Sequence, residues 1–248
     1  MGYVFDFTDA ISFDRWLNEP RNRFAAGMET RLLLEMLAPR RGESVLDIGC
    51  GTGVNLCTFL DLGLQVTGLD PSPYMLDIAL RNAGKRVDFY RGFAEDLPFD
   101  DNSFNHACLT TTLEFVADPR KAISEASRVA KDRIYIGVYN RFAIKGIQRR
   151  LQGIFTRTIF NHARFFSIWE LKQIIRDILG DVPITWRSIC QLPSASGKLI
   201  CKLEQSHLLQ KTPFGAFVGM TVTLVPRFRT RPLAIKYHPE RLIGPVAG

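Results

Sequence analysis

Residues 44–60, SVLDIGCGTGVNLCTFL, set three glycines, Gly49, Gly51 and Gly53, between an apolar run and a stretch of helical spacing. A strand, a tight glycine turn and a helix N-terminus aim unpaired N–H groups and the positive end of a helix dipole at one spot. The residues that follow exclude a P-loop, because no lysine succeeds the last glycine. The dinucleotide fingerprint is also broken, since its third glycine would stand where Val54 stands. Asp47 stands two residues before the first glycine. Asp70 follows the middle glycine by about 20 residues, where a carboxylate ending the next strand can accept from both ribose hydroxyls. That pattern supports an adenosine-bearing ligand without separating a nicotinamide dinucleotide from S-adenosylmethionine.

Other groups could act on a substrate. Glu114 follows the fourth strand expected below, whose carboxyl end faces the crevice of a parallel sheet, so it is expected as a substrate-side polar group. The competing reading is a helix-start carboxylate that uses the dipole. His162 lies in a basic stretch from which it could reach the site, although a lone histidine is more commonly structural. His106 falls mid-strand and is expected to be packed or exposed, not catalytic. Cys50, in the turn, has little reason to be reactive.

The elements that must position these groups alternate, strand after helix, as in a parallel α/β sheet. Arg23–Leu37 has helical apolar spacing and stops before Pro39. Strands are expected over Ser44–Gly49, Gln65–Asp70, Arg86–Arg91, Phe104–Leu109 and Arg133–Tyr139, with a helix over Gly53–Leu62. Ser72-Pro73 and Asp118-Pro119 each read as an N-cap followed by proline, opening helices to about Asn82 and Ala130. Ser167 and Glu170 read as a capping box ahead of an apolar helix face of Leu171, Ile174, Ile175, Ile178 and Leu179. Val182–Gln191 and Phe214–Val225 have no crossover helix between them and should pair antiparallel at a sheet edge. The expected fold is therefore a Rossmann-like, seven-stranded, mostly parallel sheet with helices on both faces and an antiparallel C-terminal hairpin.

The 248 residues, 46% hydrophobic and 23% charged, suit one globular domain with a sizeable core. Five cysteines, with no Cys-x-x-Cys pair, suggest neither a disulfide framework nor a zinc site, and a reducing cytoplasm is the expected location. Asp6 and Asp9 near the start argue against a secretory leader. The net charge of +7 is local: Arg141–Arg164 carries six basic residues and no acid, and Arg227–Arg241 five basic residues and Glu240. In the first of these, Ile144, Ile147, Leu151, Ile154 and Phe155 share a helical face. This segment reads as a lid helix over a substrate, or as a basic amphipathic helix that touches a membrane or a lipid-like substrate. Nucleic acid is disfavoured, because the aromatics are not interleaved with the basic residues.

VLDIGCGTG (Val45–Gly53), GLDPSPYML (Gly68–Leu76), GFAEDLPFDDNSF (Gly92–Phe104) and LEFVADP (Leu113–Pro119) occur in order. Together they resemble class I S-adenosylmethionine-dependent methyltransferases, in particular the type 11 branch with the ubiquinone and menaquinone biosynthesis methyltransferases. The resemblance runs from about Phe13 to Gly180. It implies that Gly49, Gly51 and Gly53 let backbone approach the methionine half of S-adenosylmethionine, with Asp47 on its ammonium. Asp70, followed by Pro71, would bind the ribose, Met75 would pack by the adenine, and Ala94 and Glu95 would lie along the adenine edge. Thr110 would flank the methionine moiety. Phe93 stands where many relatives carry an aspartate for the adenine amino group, a contact that Glu95 could take over. Glu114 stands where many carry histidine.

FDRWLNEPRNRF is similar to an element that closes over the cofactor in some relatives. Phe13, Trp16 and Arg23 are lid candidates within an N-terminal helical region of about residues 1–40, with a plain core aromatic pair as the alternative. The function so implied is methyl transfer to a small molecule, apolar and quinone- or lipid-like, or anionic. Alternatives are a non-catalytic cofactor-binding regulator or partner subunit, or methylation of RNA. A nicotinamide oxidoreductase is disfavoured by Val54.

Overall fold

The computed structural model describes residues 2–143, 163–189 and 210–224. Two helices come first, α1 (Phe7–Asn18) and α2 (Pro20–Leu37). The alternating part follows: β1 (Ser44–Ile48), α3 (Val54–Asp61), β2 (Gln65–Asp70), α4 (Pro73–Ala83), β3 (Asp88–Arg91), β4 (Phe104–Thr110), α5 (Pro119–Val129) and β5 (Ala130–Tyr139). The last described elements are α6 (Ile168–Leu179), β6 (Ile184–Ile189) and β7 (Phe217–Thr223).

The strands form one seven-stranded sheet in the order β3-β2-β1-β4-β5-β7-β6. β1 to β5 pair parallel, and β7 runs antiparallel between β5 and β6. The expected edge hairpin is present, with the later strand inserted inside the earlier one. β1, β2 and β4 are buried along nearly their whole length because both faces of the sheet are covered. On one face Leu46, Ile48, Leu109 and Ile136 pack against α5 and α6 through Ala126, Val129, Leu171 and Ile175. On the other, Val45, Cys108 and Tyr135 meet α2 and α3 through Leu33, Leu37, Leu56 and Phe59.

The strand order reverses between β1 and β4, which opens a crevice at the carboxyl ends of those strands. His106 lies toward the other end of the sheet, paired in register with Val45 at the start of β1. It is buried, with Nε2 2.9 Å from Glu43.

The caps set the ends of the helices as their residue types direct. Ser72 Oγ accepts from Met75 N–H at α4, and Asp118 accepts from the Arg120 and Lys121 N–H groups at α5. Ser167 accepts from Glu170 N–H, but the Glu170 carboxylate turns to Arg164 (2.6 Å) and Arg141 (3.2 Å) and does not complete the expected box. A full capping box forms instead between Asp6 and Asp9 at α1, a helix the apolar spacing does not announce. Residues 84–86 form a 3-10 turn, so β3 starts at Asp88 and not at Arg86. His162 and most of the basic segments, 144–162 and 225–248, lie outside the described residues.

Candidate active site

The glycine turn is pinned to the neighbouring strand. Gly49 and Cys50 donate their N–H groups to Leu69 O at 2.7 and 3.0 Å. The Gly51 N–H donates to Asp70 Oδ2 at 3.0 Å, and Ser72 N–H to Asp70 Oδ1 at 2.8 Å. Two glycines are required here for different reasons. At Gly49, with φ of 71°, an added Cβ would stand 2.6 Å from the Thr112 side chain. At Gly51, with φ of 52°, an added Cβ would meet nothing within 4 Å. The bare Gly51 backbone therefore fronts open pocket space, which is what close approach of a ligand needs. Gly53 begins α3 against Ala79 and does not reach the pocket lining.

The pocket collects residues from every element around the crevice. Asp47, Gly49, Gly51, Asp70, Pro71, Met75, Phe93, Ala94, Glu95 and Thr110 line it, as expected from the sequence, together with Phe13 and Trp16 of α1. Asp47 is 1% exposed, and its Oδ2 has no hydrogen-bond partner. Thr52 Oγ1 and Thr110 Oγ1, on the same lining, are likewise buried and unpartnered. Three such orphaned oxygens around one cavity mark a site built for a polar ligand, since each costs about 1–3 kcal/mol when left unsatisfied.

Burial pushes the Asp47 carboxyl up to about 7, with a smaller rise from the charge of Asp70 and an opposing effect of the Asn55 side chain. Asn55 is oriented from α2, where Thr30 Oγ1 donates to its Oδ1 at 2.9 Å. Burial likewise lifts Asp70 to about 6 against the two N–H groups that lower it. Glu95 is half-buried, and its Oε1 accepts from Ala117 N–H (2.8 Å) and Asp118 N–H (3.3 Å), which fixes the loop after β3 to the start of α5. Phe93 is 40% exposed at the rim.

Two expected residues stand elsewhere. Glu114 is 1% exposed and off the pocket lining. Its Oε1 accepts from Tyr139 N–H at 2.8 Å, so it ties the end of β5 from behind the pocket wall. Burial lifts its carboxyl to about 8, helped by the charge of Glu29. Arg23 is exposed on α2, one turn before the pocket-facing residues Ala26, Glu29 and Thr30, and does not line the cavity.

The structure adds residues that the sequence does not announce. The segment before α1 is strapped across the mouth: Tyr3 N–H donates to Phe115 O (2.8 Å), Tyr3 OH to Asp9 Oδ2 (2.6 Å) and Ser72 Oγ to Phe5 O (2.6 Å). The Phe5 ring meets Phe115 edge-on at 5.1 Å and Phe13 at 6.0 Å. Just past β4, Thr111 has a φ of 51°, rare for a β-branched residue, and is held by its N–H to Gly137 O at 2.8 Å. Such strain concentrates at ligand sites.

Comparison with known proteins agrees with this geometry. Residues 46–136 match the family profile described as a methyltransferase domain. The match spans 91 of the 248 residues, from β1 into β5.

The chain is 39% identical over 101 residues to a demethylmenaquinone methyltransferase of Renibacterium salmoninarum, a span that covers 41% of this chain and 42% of that protein. The corresponding enzyme of Clavibacter sepedonicus is 40% identical over 97 residues, covering 38% and 40%. This chain thus covers about two fifths of the length of these relatives. A SAM-dependent methyltransferase of Thermotoga maritima superposes with a TM-score of 0.68 at 27% identity, covering 88% of this chain and 96% of that one. Magnesium protoporphyrin IX methyltransferase of Synechocystis, solved with bound SAH, shares the fold with a TM-score of 0.65 at 15% identity, covering 89% and 96%. The matched span holds the glycine turn, Asp70, Ala94, Glu95 and Thr110. Tyr3, Phe5, Phe13, Trp16, Glu29 and Tyr139, which also line the pocket, lie outside it.

Proposed function

We propose that this protein is an S-adenosylmethionine-dependent methyltransferase acting on a small molecule. The observation that carries the reading is the unpartnered Asp47 Oδ2, buried beside a glycine turn whose backbone fronts open space. The residues present fit S-adenosylmethionine: Asp47 is a counter-ion for its ammonium, and the second lone pairs of the Asp70 carboxylate suit its ribose hydroxyls. Met75, Phe93 and Ala94 form an apolar bed for the adenine, with Glu95 at its edge, and Thr110 sits by the methionine end. Gly49 and Gly53 shape the turn and the start of α3. When bound, the cofactor supplies a methyl group activated by its sulfonium.

The work left to the chain is to hold two reactants in line and exclude water, which is worth several kcal/mol of barrier. The aromatic strap of Phe5, Phe13, Trp16 and Phe115 serves the exclusion. The demethylmenaquinone relatives support a quinone-like acceptor only loosely, because the family match omits Tyr3, Phe13, Glu29 and Tyr139 on the acceptor wall. A site for peripheral membrane contact in 141–164, and His162 within it, remain proposals from sequence.

Calorimetric titration tests the reading. S-adenosylmethionine should bind the wild-type protein in the micromolar range, and Asp70→Ala should weaken it at least tenfold, about 1.4 kcal/mol. NADH should not bind. A folded protein that binds neither, or binds NADH instead, defeats the proposal.

A further inference from the structure

The amino ends of the strands, opposite the crevice, hold a second set of polar groups that the pocket does not use. Glu43 ends the loop before β1, His106 lies in β4, and Asp132 lies near the start of β5. One donor atom from each lies within 4.8 Å of the others. All three are held in place. Glu43 Oε2 accepts from Arg40 N–H at 2.7 Å and lies 2.9 Å from His106 Nε2. Asp132 Oδ2 accepts from Asn105 Nδ2 at 2.7 Å, and Asn105 Oδ1 accepts in turn from the N–H and Oγ of Ser44, both at 3.1 Å. The strand pairing is irregular at this point: β5 takes three steps from Ala130 to Arg133 where β4 takes two from Phe104 to His106. Bulges of this kind re-aim side chains. His106 is 4% exposed, and its Nδ1 has no hydrogen-bond partner. With Nε2–H given to Glu43, the neutral ring is left with a bare, buried lone pair on Nδ1.

We propose that Glu43, His106 and Asp132 bind a divalent transition ion of the zinc type, which ties the loop before β1 to β4 and β5 at the end of the sheet away from the pocket. Two carboxylates and a neutral imidazole are a donor set that zinc accepts, and their charge balances that of the ion. Magnesium and calcium suit the set less, because they take oxygen ligands and more of them. Ligand bonds of about 2.0–2.2 Å put the donors of one ion within about 4 Å of each other, so the half-buried acids need to close by less than about 1 Å. The Arg40 N–H and the Asn105 amide are outer partners of the sort that orient ligating carboxylates. Without an ion, two carboxylates stand close together and the buried lone pair of His106 stays unsatisfied. No cysteine takes part, and the three ligands are far apart in the chain, so no spacing announces the site. The proposal stands apart from the methyltransferase reading.

The test uses the full chain, freed of metal with a chelator and titrated calorimetrically with zinc chloride and, separately, magnesium chloride. Zinc should bind in the micromolar range or tighter, and magnesium at least 100-fold more weakly. Zinc at about 100 times its Kd should raise the melting temperature by about 5 °C. His106→Gln and Asp132→Asn should each weaken zinc at least tenfold. Asp132→Asn changes a half-buried residue and keeps an acceptor for the Asn105 amide, so it decides the matter if His106→Gln does not fold. Replacing His162, His207 and His238 together with alanine should leave the zinc affinity within threefold. A folded wild-type protein that binds no zinc, or binds magnesium equally well, overturns the proposal. So does zinc that leaves the melting temperature unchanged, or that binds Asp132→Asn as tightly as the wild type. Loss of zinc in the folded triple-histidine variant also overturns it, because the ion would then sit elsewhere.

Discussion

Asp47 is the residue on which the binding chemistry turns. Its carboxyl sits near 7 because burial disfavours the charge, and a ligand ammonium would restore it. Binding should therefore release a proton at acidic pH. The affinity for S-adenosylmethionine is expected to rise about tenfold from pH 6 to 7.5, then fall as an α-amino group of pKa about 7.7–8.0 loses its proton. Asp47→Asn should weaken binding at least tenfold at pH 7.5 and leave only the smaller dependence from Asp70, near 6. Titrations across that range check both, and a flat wild-type profile would refute this role. The identity of Asp47 and Asp70 was legible from their spacing to the glycines. Thr30, Asn55 and Glu29 were not, because helix packing brings them to the site and no local pattern marks them.

At the scale of elements, the glycine turn and the end of β4 are fitted to each other. Thr112 Oγ1 donates to Ile48 O at 2.7 Å, and its side chain occupies the space a Gly49 Cβ would need. Gly49→Ala should therefore destabilise the protein by about 1–3 kcal/mol. Adding Thr112→Ala should return part of that loss, since the two residues touch and their effects are not additive. Denaturant melts of the single and double variants measure the coupling, and strict additivity would contradict the packing described. The strands were readable as apolar runs between turn residues. α1 was not, because only Ala10 and Trp16 are buried along its 12 residues and its apolar spacing is weak. The left-handed Thr111 also gave no signal, as nothing in a threonine announces positive φ. The catalytic expectation for Glu114 followed the end of β4 correctly but not the turn after it, which swings the side chain behind Tyr139.

Across the whole molecule, three buried acids titrate well above their ordinary range: Asp47 to about 7, Asp70 to about 6 and Glu114 to about 8. Raised acid pKa values mean that the folded state holds more protons than the unfolded chain between about pH 4 and 8, so stability falls as pH rises through that window. The melting temperature without ligand should drop by several degrees from pH 5.5 to 8.5. Glu114→Gln, which keeps an acceptor for Tyr139 N–H, should melt at least about 2 °C above the wild type at pH 8.5. A wild-type melting temperature that climbs over this range would contradict the burial of these charges. No helix among the described residues is long and apolar enough to cross a membrane.

The most direct measurement is a crystal structure of the chain with S-adenosylhomocysteine at pH 7.5. The account predicts the ligand along the glycine turn, its ammonium bonded to Asp47 Oδ2 and its ribose hydroxyls to Asp70. A ligand seated elsewhere, or an Asp47 carboxylate left unpaired beside it, would contradict the account at its centre.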